Sequence, residues 1–183
     1  FTYGFPLMIA NVLIFFYWNI DYYLISRLLD PIQLGYYYLA FQISQYVVQL
    51  KVAINSVLFP TFAKMRNEKS IQMGYEYLVK LSSIVFTLPL ILMVGYSNSI
   101  ISMVFGEKWL PAANVFTIFM ALTLVRGVTQ YWDPIFLMFG KTKFLLLLAT
   151  INSIIIPFLG IILTKAYGIE GMAYAVLISI LFI

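Results

Sequence analysis

The chain has 183 residues, of which 63% are hydrophobic, 18% aromatic and only 10% charged, with a formal net charge of +4. Soluble domains carry about 25% charged residues, so this chain cannot clothe a water-exposed surface; disorder, collagen, coiled coil and a disulfide scaffold are excluded with it. Cys and His are both absent, which removes thiolate chemistry and the commonest acid–base group and metal ligand, and the small, dispersed positive charge does not indicate nucleic acid as a partner.

The remaining class is a membrane protein, in keeping with a mean hydropathy of +0.96. A helix that crosses the hydrocarbon needs about 20 mostly apolar residues. Charge-poor runs extended to their turn signals give six spans, at 5–29, 34–61, 77–103, 112–138, 144–164 and 170–183. Between them lie Asp30-Pro31, the polar stretch from Lys64 to Ser70, Gly106-Glu107-Lys108, Gly140-Lys141 and Tyr167-Gly168. Pro31 and Pro111 suit the first turn of a helix, whereas Pro89, Pro134 and Pro157 fall inside spans and predict kinks or freed carbonyls. Runs such as Phe144 to Leu148 do not alternate, which argues against a β-barrel. The fold expected is all-α, a polytopic membrane bundle forming a single domain over residues 1–183. The chain opens on Phe1 without a basic leader and closes on an apolar run, so a fragment of a longer protein with a truncated last helix is expected.

Six spans leave five loops on alternating sides. Loops two and four hold Lys64, Arg66, Lys69, Lys141 and Lys143, with Lys80 at an edge; the other three hold Arg27, Lys108 and Lys165, a division of six to three. Lys and Arg accumulate on the cytoplasmic side, so loops two and four are expected there. Tyr36, Tyr37, Tyr38 and Trp109 mark one interface and Tyr75 and Tyr77 the other. The segment from Ser97 to Trp109 is amphipathic and is expected to lie partly along the outer surface.

Four charges lie within the spans: Asp21, Lys51, Arg126 and Asp133. A charge at the bilayer centre is costly, and such groups usually face protein or water. Arg126, Gln130 and Asp133 are spaced i, i+4, i+7 and share one helix face. On the second span Gln42, Gln45 and Gln49 form one stripe, and Ser44, Lys51 and Asn55 another on roughly the opposite side. Two readings stay open for these groups: polar links between helices, or the wall of a hydrated cavity. Nothing in the sequence looks catalytic. No glycine-rich phosphate loop, paired carboxylates or nucleophile with a base is present, and no cofactor or metal is implied.

Several strings then point to a family. Asn19-Ile20-Asp21, Leu24 to Leu29, and Leu34-Gly35-Tyr36-Tyr37 with Leu39-Ala40 resemble the corresponding run of the Wzx-type polysaccharide exporters. Val57-Leu58-Phe59-Pro60, Gly106-Glu107-Lys108-Trp109 with Pro111-Ala112, and Gly168-Ile169-Glu170-Gly171-Met172-Ala173 are similar to later segments of that family, in the same order. Ser26 stands where the family has glycine, and Asp30-Pro31 replaces its glycine turn. The resemblance implies a member of the multidrug/oligosaccharidyl-lipid/polysaccharide exporter superfamily. This chain would then be most of the second of two six-helix lobes, in the cytoplasmic membrane of a bacterium or archaeon. It further implies a polyprenyl-diphosphate-linked oligosaccharide as substrate, with membrane lipids and the first lobe of the same protein as partners, and alternating access as mechanism. Lys51 and Arg126 become candidates for the diphosphate, with Asp21, Gln45, Gln49, Asn55, Gln130 and Asp133 as cavity polarity. A cation-coupled drug or small-solute antiporter of the same superfamily is the alternative, followed by a membrane glycosyltransferase or polymerase.

Overall fold

The computed structural model describes residues 4–63, 68–129 and 142–181. Among these residues every regular element is helical: α1 (Gly4–Leu28), α2 (Pro31–Ala63), α3 (Glu68–Gly95), α4 (Ser97–Phe105), a 3₁₀ helix (Glu107–Ala112), α5 (Ala113–Thr129) and α6 (Thr142–Leu181). The chain is an all-α bundle of membrane type. Leu7–Leu28, Glu107–Arg126 and Lys143–Leu181 are long and apolar enough to cross a membrane, and the bent pair Thr87–Gly95 with Ser97–Phe105 adds a fourth if it counts as one span. The 33 residues of α2 also have the length to cross, and Gln42, Gln45, Gln49 and three consecutive tyrosines make its first half the more polar one.

Helix ends follow local chemistry. Asp30 caps α2: its carboxylate accepts from the Gln33 amide nitrogen at 2.8 Å and from the Gln33 side-chain amide at 3.3 Å, and Pro31 opens the helix where no donor is needed. Gly106 ends α4 at φ +91°, a conformation that a side chain would strain. The 77–103 span expected from hydropathy is corrected here. Its helix stops at Gly95, Tyr96 forms a turn, and α4 leaves at 83° to the preceding segment. An average over a whole span runs across that bend because the stretches flanking it are apolar, although Gly95-Tyr96-Ser97-Asn98-Ser99 interrupts them at the turn itself. By contrast α3 and α6 continue through Pro89 and Pro157. There each proline costs one backbone hydrogen bond without ending the helix.

The 40 residues of α6 would extend about 60 Å if straight, twice the hydrocarbon thickness. They do not run straight. Gly168 adopts φ +60° and ψ −140° and divides α6 into two limbs, which are the spans expected at 144–164 and 170–183. The limbs fold back on each other. A methyl group on Gly171 would overlap the Leu163 backbone, and one on Gly160 would meet the Met172 sulfur at 2.8 Å.

Close contacts divide the chain into two units, residues 1–39 with 130–183, and residues 40–129. In the first unit α1 packs along α6. The Ser153 hydroxyl donates to the Leu13 carbonyl at 3.3 Å, and Leu24 lies beside Gly160, so α1 and the first limb run in the same direction. Gln33, at the start of α2, approaches Gly168, which puts the Asp30 turn and the α6 turn at one end of this unit. In the second unit α5 is the core. Val115, Phe116, Ile118, Phe119, Met120 and Leu122 are all buried, against α3, α4 and the 3₁₀ helix, with Phe41 of α2 edge-on to Phe119 at 5.3 Å.

Candidate functional site

Outward faces carry large apolar side chains. On α1 these are Phe5, Met8, Val12, Phe15 and Phe16; on α3 Ile84, Val85, Leu88, Ile91 and Leu92; on α6 Leu147, Ile154, Phe158 and Ile162. Polar side chains are found inside. Asp21, Ser44, Gln45, Thr123, Asn152, Thr164 and Ser179 are all buried. The rest of the buried set is apolar, so these polar groups within an apolar interior are the feature that needs a chemical explanation.

Asp21 sits on α1, one turn before the buried pair Leu24 and Ile25, and is only 3% exposed. Its carboxylate accepts the Tyr37 hydroxyl at 2.8 Å, and the Tyr22 amide nitrogen at 2.9 Å. Tyr37 is fully buried, and its ring stands edge-on to Tyr22 at 6.0 Å. The aromatic belt expected at Tyr36 to Tyr38 is therefore corrected for one member: Tyr38 is exposed and Tyr36 half-buried, but Tyr37 turns inward. A buried carboxylate draws it there, because each group removes the cost of leaving the other without a hydrogen bond.

Along α2 the glutamine stripe changes environment. Gln42 is half-buried, Gln45 buried and Gln49 exposed, while Ser44 is buried with its hydroxyl donating to the Phe41 carbonyl at 2.6 Å. Lys51 and Asn55 continue this helix at positions where only the backbone is described. Arg126 lies half-buried in the last turn of α5. Gln130 and Asp133, its expected neighbours on that face, lie outside the described residues, as do Lys64 to Asn67 and Gly140-Lys141. Asp21 is thus joined to Tyr37 within the first unit, and Gln45, Gln49 and Arg126 belong to the second.

Sequence reasoning missed two positions. Asn152 and Thr164 are buried on one stripe of the first limb of α6, with Ala149, Ile156 and Gly160. Among the described residues the Asn152 side-chain oxygen and the Thr164 hydroxyl have no hydrogen-bond partner. Thr117, Thr123, Thr150 and Ser179, in contrast, all bond carbonyls of their own helices. The signal available was the i, i+3, i+4 recurrence of small and polar residues in an otherwise apolar run, which small hydroxyls alone make unremarkable. No three acidic side chains come together among the described residues in a way that could hold a metal ion.

Residues 1–114 match a family described as polysaccharide biosynthesis protein. The teichuronic acid biosynthesis protein TuaB of Bacillus subtilis is 32% identical over 145 residues, covering 69% of this chain and 30% of that relative. The lipopolysaccharide biosynthesis protein WzxC of Escherichia coli is 28% identical over 112 residues, covering 60% of this chain and 23% of that relative. The chain spans less than a third of the length of either. No solved structure matches it. Asp21, Tyr37, Gln45 and Lys51 all fall inside the family match, and Arg126 lies beyond it.

Proposed function

The chain belongs to the polysaccharide biosynthesis protein family, and from that premise we propose that it forms the second lobe of an exporter. This lobe works with a first lobe of the same protein in the cytoplasmic membrane, and turns a polyprenyl-diphosphate-linked oligosaccharide from the inner to the outer leaflet by alternating access. The sugar head needs a hydrated path while the polyprenyl tail stays in lipid. The observation that carries this reading is the set of polar side chains, Asp21, Gln45 and Asn152 among them, buried behind outward faces of large apolar side chains. Membrane proteins retain such groups where a substrate or ion must pass.

In this scheme Lys51 and Arg126 attract the diphosphate, and Gln45, Gln49, Asn55, Gln130, Asp133 and Asp21 supply polar surface. The protein catalyses no bond change; it lowers the barrier to moving a charged headgroup through hydrocarbon. The alternation of loops needs the Asp30 and Gly168 turns on one side, and their meeting through Gln33 supports it.

The test is export per folded molecule in cells that depend on the full-length protein. If Lys51 serves the diphosphate through charge, Lys51→Arg keeps much of the export, while Lys51→Gln loses most of it at normal membrane abundance. Arg126→Lys is poorly tolerated if the guanidinium forks to a carboxylate, because an ammonium lacks that geometry. Unchanged export per molecule in both Lys51→Gln and Arg126→Gln would remove these residues from the mechanism.

A further inference from the structure

The elbow after α3 has faces of three kinds. Ile101 of α4 is buried, on the side that packs against α5. Tyr96 and Met103 point the opposite way, Val104 lies between them and Ile101 on one flank, and all three are exposed, Met103 to 90%. Asn98 and Ser99, also exposed, lie between these two sides in the helical projection. A surface helix on a soluble domain needs one apolar face, and this one has two. The second is continuous with lipid-type surface: Leu88, Ile91 and Leu92 of α3, just before the bend, are exposed apolar residues as well.

The angle supplies the rest. If the segment Thr87–Gly95 runs across a bilayer, α4, turned by 83°, lies nearly in its plane. The chain beyond it carries Lys108, exposed and stacked over the Trp109 ring at 5.9 Å, and the exposed Leu110. A lysine on an indole is the pairing that suits headgroup depth, with the ring among carbonyls and the ammonium at phosphate level. Gly106 makes the junction between the two helices, at a φ of +91°.

We propose that residues 96–112 form an interfacial shelf whose partner is the lipid of one leaflet, with Tyr96, Met103 and Val104 set against acyl chains, Asn98 and Ser99 against water, and Lys108 against lipid phosphate. The shelf fixes the depth of α3 and α5, since it joins them and rides at a level set by its own amphipathicity. The assignment does not depend on the protein moving glycolipid; it needs only that α3 crosses the bilayer.

The experiment uses the full-length protein, free of other cysteines, in vesicles of phosphatidylcholine with phosphatidylglycerol. Single cysteines replacing Met103 or Asn98 are spin-labelled, and collisions with dissolved oxygen and with a water-soluble nickel chelate are compared. The Met103→Cys label should favour oxygen, at a depth of about 5–10 Å below the phosphates. The Asn98→Cys label should favour the nickel chelate at least several-fold more than the Met103→Cys label. Equal nickel accessibility at the two sites would overturn the proposal. A Met103→Cys label shielded from both reagents would place protein on that face, and one at the bilayer centre would make α4 a re-entrant segment. Either result also overturns it.

Discussion

In the first unit helices meet through small and polar groups: Ser153 bonds the Leu13 carbonyl, Leu24 lies beside Gly160, and Gly171 abuts the Leu163 backbone. In the second they meet through bulk, with Phe116, Phe119 and Met120 of α5 fully buried and Phe41 edge-on to Phe119. Lipid gives no hydrophobic reward for bringing two helices together, so close backbone approach and hydrogen bonds must supply the first kind of contact. Large interlocking side chains supply dispersion in the second. The first kind tolerates no added atom, and the second no missing one.

That asymmetry can be broken by substitution in the full-length protein, with unfolding in detergent as the measurement. Phe119→Ala should cost about 3–5 kcal/mol, because the ring leaves a cavity in the core of its unit. The exposed Phe15→Ala should cost far less, and equal losses would mean that α5 is not the core described. Gly171→Ala should cost about 3 kcal/mol, the upper range for overpacking, since the obstacle is Leu163 backbone rather than a movable side chain. Gly35→Ala, with nothing within 4 Å, should be neutral or stabilise α2 by about 0.5 kcal/mol. If Gly171→Ala behaved like Gly35→Ala, the hairpin at Gly168 would be wrong.

A smaller effect tests the polar part of the first unit. Tyr37→Phe removes the hydroxyl that donates to the buried Asp21 carboxylate, leaving the Tyr22 amide as donor, and should cost about 1–3 kcal/mol. In a cycle with Asp21→Ala the two losses should fall short of additivity by about 1 kcal/mol, and strict additivity would separate the pair. The smallest change is Asp30→Ala, which removes the cap of α2 at a cost of about 1 kcal/mol.

The sequence carried the helices and most of their ends because these rest on local signals. Asp30 before Pro31 is an N-cap followed by a proline suited to the first turn, and Gly106 and Gly168 mark places where only glycine is comfortable. The turn at Tyr96 was legible only in part: Gly95-Tyr96-Ser97-Asn98-Ser99 interrupts the apolar run and Ser97 opens the segment expected along the surface, but no proline or positive φ marks the turn and the apolar stretches on either side read as one span. The Asp21–Tyr37 bond was hidden for another reason. Its partners are 16 residues apart on two helices, and a tyrosine near a span end reads equally well as an interfacial ring. Arg126 on its half-buried turn was legible as a polar position within an apolar helix, because insertion cost alone singles it out.

The most direct test of the central claim is translocation itself. The purified full-length protein is reconstituted into liposomes with a polyprenyl-diphosphate-linked oligosaccharide confined to one leaflet, and a lectin outside reports its arrival. Arrival should be protein-dependent and should fall several-fold with Lys51→Gln. Arrival at the rate of protein-free liposomes, from a protein that is folded and correctly inserted, would contradict the account.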